Sequence, residues 1–212
     1  MKENHFETKR TARYYSLGNC NENTENVWIV LHGYMQPAKF FLKQFELFKN
    51  SKTYIVAPEA LSRAYVSGVS GKVGASWMTK EDREKEISDY VFYLNSLSNQ
   101  ILSKVPVNCK IKLLGFSQGV AALCRWYAQS NISAEQIILW CGTFPIDMQF
   151  YHGNKKWKNI HLVSASNDIY ITPEKKQEQK KILHNIGIKF TAHEFEGKHE
   201  IHLDVLKKII TN

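Results

Sequence analysis

Residues 115–119 read Gly115-Phe116-Ser117-Gln118-Gly119, at the end of a short, largely apolar run and before an alanine-rich segment. A serine spaced in this way from two glycines, between a buried strand and a helix, marks a turn so sharp that the serine backbone is strained. The hydroxyl then projects beyond the sheet, and the amide of the next residue points at the atom it attacks. Side chains at the flanking positions would collide with strand and helix, which accounts for both glycines. The chemistry expected of this arrangement is nucleophilic attack with a covalent intermediate. The competing reading makes Ser117 a plain helix N-cap.

A serine hydroxyl needs a base to take its proton, and the base needs an orienting acid. With an elbow serine the partners follow in the order acid, then histidine, each just beyond the C-terminal end of a later strand. Asp168 follows the expected strand 160–165 through Ser166-Asn167. Asp147 is the rival, but it lies farther from its strand, beyond Pro145, so Asp168 is preferred; it also suits a plain turn. Of eight histidines, His161 and His193 fall in expected strands and His184 in an expected helix. His5 and His32 precede the serine, and His152 precedes the acid. His202 sits on the closing helix. His199, in Gly197-Lys198-His199-Glu200 directly after the last strand, is the preferred base; a surface histidine at a helix start is the alternative.

Charge developing on a carbonyl oxygen calls for backbone donors. The Gln118 amide is one. The other is expected in the loop Leu31-His32-Gly33-Tyr34, with the Tyr34 amide as donor, although His32-Gly33 also reads as a strand-ending turn. Trp77, Met78 and Phe144 are candidate pocket walls and read equally well as core packing.

The elements that must position these residues alternate. Strands are expected at 13–17, 27–31, 54–57, 110–115, 136–140, 160–165 and 188–195. Helices are expected at 37–49, 82–104, 118–129, 173–186 and 201–210. Continuous apolar strands separated by helices predict an α/β fold, doubly wound, with a mostly parallel sheet and helices on both faces. No linker or repeat divides the chain, so residues 1–212 read as a single domain. The irregular stretch 59–78, with Gly68, Gly71 and Gly74, reads as a loop or flap near the site; a surface excursion is the alternative.

Composition bounds the rest. The 212 residues are 43% hydrophobic and 23% charged, enough for one core and against global disorder. No signal-peptide pattern opens the chain and no window is apolar enough for a membrane span. The net charge is +8, but the basic residues are scattered and interleaved with acids, as at 174–181, so a solvated surface is favoured over nucleic-acid binding. Cys20, Cys109, Cys124 and Cys141 are too widely spaced for a zinc motif and suggest a reducing cytoplasm.

Taken in order, these pieces resemble the phospholipase/carboxylesterase family of the α/β-hydrolase superfamily, which includes acyl-protein thioesterases. The matching residues are Leu31-His32-Gly33, Pro58, Ser76-Trp77, Gly115-Phe116-Ser117-Gln118-Gly119, Gly142-Thr143-Phe144-Pro145, Asp168 with Ile169 and Pro173 behind it, and Gly197-Lys198-His199-Glu200-Ile201. The resemblance implies an α/β-hydrolase fold without a large cap domain. It implies a serine carboxylesterase acting on carboxylic esters through an acyl-enzyme, without metal or cofactor. A thioesterase or lipid deacylase on the same scaffold is the alternative, and a non-catalytic ligand-binding protein a further one. Oligomeric state is left open. Val120 stands where the family usually has a second glycine, and Tyr34-Met35-Gln36 where it usually has Leu-Gly-Asp, which marks a divergent branch.

Overall fold

The continuous apolar runs form the middle of a seven-stranded sheet. The computed structural model describes residues 1–148 and 157–211. Its strands are β1 (Tyr14–Leu17), β2 (Asn26–Leu31), β3 (Thr53–Pro58), β4 (Ser62–Tyr65), β5 (Val73–Ser76), β6 (Lys110–Phe116), β7 (Gln136–Trp140), β8 (Ile160–Ala165) and β9 (Phe190–Phe195). Its α-helices are α1 (Ala38–Lys43), α2 (Arg83–Leu102), α3 (Gln118–Gln129), α4 (Pro173–Asn185) and α5 (Leu203–Thr211). The main sheet runs β1-β3-β2-β6-β7-β8-β9. All its pairings are parallel except that of β1, which lies antiparallel on β3.

Period-two alternation sends the buried side chains to two cores. Val27, Ile29 and Leu31 of β2 face α2 and α3, meeting Tyr90, Leu94, Leu123 and Trp126, and Ile160 and Leu162 meet Leu183 of α4 in the same core. Trp28 and Val30 face the opposite way, towards the Ala38, Phe41 and Leu42 face of α1, in a core shared with Leu206 and Ile209 of α5. The sheet is therefore doubly wound, with helices on both faces. After β2 the chain crosses to β3 on one side, and it returns to place β6 on the other. The loops leaving β2 and β6 diverge at this switch point, where such sheets open a crevice. Leu31 stands opposite Gly115 in the register, so both loops depart at one level.

Two expectations are refined. The segment expected as one helix over 37–49 is α1 followed by a 3-10 turn at Glu46–Phe48. Phe41, Phe45 and Phe48 pack in succession through this tightened turn, with ring centroids 5.4 and 6.5 Å apart. Phe40 is left exposed. The segment 59–78 holds an antiparallel hairpin, β4 on β5, paired from Ser62 opposite Ser76 to Tyr65 opposite Val73. Gly68 and Gly71 take positive φ at its turn, where other residues would be strained.

Candidate active site

The elbow is built by backbone contacts that leave no space for side chains. Ser117 has φ 54° and ψ −119°, a conformation that costs a non-glycine residue on the order of 1–3 kcal/mol. The strain is held on both sides of the serine. The Ser117 amide donates to the Trp140 carbonyl at 2.9 Å, and the Ser117 carbonyl accepts from the Val120 amide at 3.0 Å. A Cβ on Gly119 would lie 2.3 Å from the Leu31 carbonyl oxygen, and one on Gly115 would lie 2.6 Å from that of Gly119. Ser117 makes no side-chain capping hydrogen bond, which sets aside the N-cap reading.

The loops after β8 and β9 bring Asp168 and His199 together. His199 Nδ1 and Asp168 Oδ2 are 2.8 Å apart. The other carboxylate oxygen accepts the amides of Tyr170 at 2.8 Å and Ile171 at 3.0 Å. Burial opposes the charged form of Asp168, but the His199 contact and these amides outweigh it and hold the carboxyl below its ordinary pKa. The His199 ring packs against Phe116 at 4.9 Å and Tyr170 at 4.8 Å between centroids. Phe116 immediately precedes Ser117, so this contact puts the imidazole beside the elbow. The carboxylate fixes the imidazole proton on Nδ1 and leaves Nε2 as the acceptor.

Opposite this pair, β5 ties two loops into one frame. The Met35 amide donates to the Ala75 carbonyl at 2.9 Å. A Cβ on Gly74 would meet the Met35 carbonyl oxygen at 2.4 Å, so the loop can lie directly on the strand. On the elbow side, Gln118 Oε1 accepts the Trp77 amide at 3.0 Å, and Gln118 Nε2 donates to the Met78 carbonyl at 2.8 Å. Trp77 Nε1 donates to the His32 carbonyl at 2.8 Å. His32 is fully buried and stays neutral, its pKa lowered by burial to about 4. Its Nε2 accepts the Ala60 amide at 3.1 Å, so its Nδ1 donates to the Gly33 carbonyl at 2.8 Å. Among the described residues, neither the Tyr34 nor the Gln118 amide donates a hydrogen bond within the protein.

The remaining candidates separate by their partners. Asp147 receives two hydrogen bonds from Arg125, at 2.7 and 2.8 Å, and a third from Arg83 at 3.0 Å. Arg125 lowers its pKa to about 2, and Asp147 anchors the loop after β7 to α2 and α3. His161 and His193 contact each other, Nδ1 to Nε2 at 2.9 Å, on neighbouring strands. His202 packs on Phe195, His5 meets Asp82 near the start of α2, and His152 lies outside the described residues. Trp77 and Phe144 are each 2% exposed, whereas Met78 is half-buried. The side-chain role of Gln118 was missed by the sequence reading, and only a bond across 41 residues reveals it. A cavity of about 240 Å³ lies between α4 and β8–β9, lined by Gly142, Ile171 and Lys176 among others, and does not include Ser117 or His199.

A mostly parallel, doubly wound sheet carrying an elbow serine at its switch point defines the class, an α/β-hydrolase. The chain belongs to the phospholipase/carboxylesterase family, whose model matches residues 15–212. Solved structures with the same fold include the esterase PE8, 18% identical, covering 95% of this chain and 99% of that one, with a TM-score of 0.70. Acyl-protein thioesterase 2 of Zea mays is 16% identical, with 95% and 98% covered and a TM-score of 0.69. A phospholipase/carboxylesterase from Dyadobacter fermentans is 16% identical, with 97% and 98% covered and a TM-score of 0.71. Among curated proteins, none matches this chain in sequence. Among the described residues, no helix is long and apolar enough to cross a membrane.

Proposed function

We propose that the protein is a serine carboxylesterase, with Ser117 as nucleophile, His199 as general base and acid, and Asp168 as the acid that orients His199. The observation that carries this reading is the 2.8 Å contact between His199 and Asp168 beside a strained elbow serine. His199 Nε2 takes the Ser117 proton as Oγ attacks the ester carbonyl. Asp168 stabilises the imidazolium that forms. The free amides of Tyr34 and Gln118 receive the oxyanion. The imidazolium then protonates the leaving alcohol, and water, deprotonated by the same nitrogen, releases the acid from the acyl-enzyme.

The substrate is a small-molecule or acyl ester, and neither nucleic acid nor cofactor takes part. Met78 flanks the elbow, with Trp77 and Phe144 backing the pocket from the core. The hairpin 62–76, at the heart of segment 59–78, is the candidate flap, and residues 1–212 act as one domain. Four unpaired cysteines support a reducing location such as the cytoplasm.

A series of chromogenic esters of increasing acyl length, each with its matched thioester, tests the reading. Ester hydrolysis is expected, with Ser117→Ala lower by about 10⁶ if the three side chains act as a unit. Faster turnover of every thioester would move the assignment to a thioesterase. Activity in Ser117→Ala equal to wild type would overturn the mechanism.

A further inference from the structure

Three strand ends meet behind the imidazole, and the third carries a cysteine that the hydrolytic cycle does not use. Cys141 directly follows β7, Asp168 follows β8 and His199 follows β9, and these three strands are parallel neighbours. Cys141 is fully buried and takes φ 44°, with its amide held by the Val163 carbonyl at 2.8 Å. One ligand atom from each of Cys141, Asp168 and His199 lies within 4.8 Å of the other two. A tetrahedral zinc ion bound through sulfur, nitrogen and oxygen needs those atoms about 3.3–3.6 Å apart. The contact between Asp168 and His199, 2.8 Å long, would therefore open by roughly half an ångström to admit it.

We propose that Cys141, Asp168 and His199 form an inhibitory site for a thiophilic divalent cation, zinc being the type ion. A thiolate, an imidazole and a carboxylate are the donor set that zinc takes, and the sulfur disfavours magnesium and calcium. The ligands are far apart in sequence, so no spacing motif announces the site; parallel strand order assembles it. His199, the most exposed of the three, is the point of entry.

The inhibition follows from proton positions and rests on the esterase reading. The cation replaces the thiol proton, which is released to solvent, and binds the lone pair at His199 Nδ1. The single proton of the neutral imidazole moves to Nε2. That nitrogen then has no lone pair for the Ser117 hydroxyl, and Asp168 is held by the metal. Zinc thus stops the reaction at its first proton transfer without contacting the serine.

Metal binding is tested apart from catalysis by titrating Ser117→Ala protein with cobalt(II). A thiolate-to-cobalt charge-transfer band is expected at one equivalent, and it is expected to vanish in Ser117→Ala/Cys141→Ser. With an active enzyme, zinc is expected to inhibit reversibly, with recovery on chelation. Its inhibition constant is expected to rise at least about tenfold in Cys141→Ser and in Cys141→Ala, each compared with its own metal-free rate. Circular dichroism establishes that both variants fold. No thiolate band in the parent protein, or equal zinc sensitivity in both folded cysteine variants, overturns the site. Binding confined to the exposed group Glu3, His5 and Asp82 gives that second result. If no ester is hydrolysed, the cobalt band still decides the metal site while the esterase reading fails.

Discussion

The two sides of the elbow are held by different kinds of force. On one side, Asp168 and His199 meet through a charge-assisted contact on short loops, and in the proposed mechanism each acts through its side chain. On the other, Tyr34 and Gln118 offer backbone amides, and neutral hydrogen bonds with glycine-tight packing along β5 hold them. The first side depends on residue identity at three points. The second depends on backbone position, which many contacts determine together. One substitution should therefore remove chemistry on the side of Asp168 and His199, whereas on the amide side it should loosen geometry.

The largest contrast lies between two aspartates. Asp168→Asn is expected to lower kcat/KM for a chromogenic ester by about 10⁴, since the amide favours the wrong imidazole tautomer. Asp147→Asn, which removes the charge and one acceptor oxygen from the Arg125 and Arg83 contacts instead, should lower thermal stability and change kcat/KM by less than about tenfold. Equal losses in the two variants would erase the distinction between relay and scaffold.

On the amide side, Gln118→Ala removes the clip to Trp77 and Met78 but keeps the Gln118 amide. A fall in kcat of about 10- to 100-fold with KM little changed is expected, as for a misplaced oxyanion donor. A change confined to KM would show that the clip shapes the pocket and not the oxyanion site.

The scaffold also has a pH signature. His32 and His161 stay neutral in the folded chain down to about 4, whereas their ordinary value is 6.5. Between those values the unfolded chain binds more protons, so stability falls as pH drops through this window and is regained as pH rises. The thermal midpoint should decline across it, and a midpoint that is flat there would contradict the assigned neutral state of both rings.

Tyr34→Ala marks the smallest effect. The residue is 61% exposed and the proposed role belongs to its amide, so kcat should stay within about threefold of wild type. A loss near 100-fold would assign the ring itself a role.

The elements that bring Asp168 and His199 together near the elbow were legible in the sequence because their signals are local. The glycine-serine-glycine spacing, the apolar run of β6 and the strand-end positions of Asp168 and His199 each lie within a few residues. The sheet followed from the continuous apolar strand at 27–31 and the largely apolar segments at 110–115 and 136–140. Less of the amide side was legible. Its hairpin is short and largely exposed along β4, so Ser62–Tyr65 shows no apolar alternation. The Gln118 clip and the approach of Cys141 to Asp168 are products of strand order and have no local signature. The break after α1 was hidden as well, because four phenylalanines near helical spacing suggest one longer helix, whereas Phe45 leaves the helical path at φ −101° and ψ 4°.

The central claim is that His199, oriented by Asp168, makes Ser117 nucleophilic. Reaction with a fluorophosphonate, followed by peptide mass spectrometry, tests it most directly. The account predicts a single adduct on Ser117, formed at least about a thousandfold more slowly in His199→Ala. An adduct on another residue, or labelling of Ser117 at an unchanged rate without His199, would contradict it.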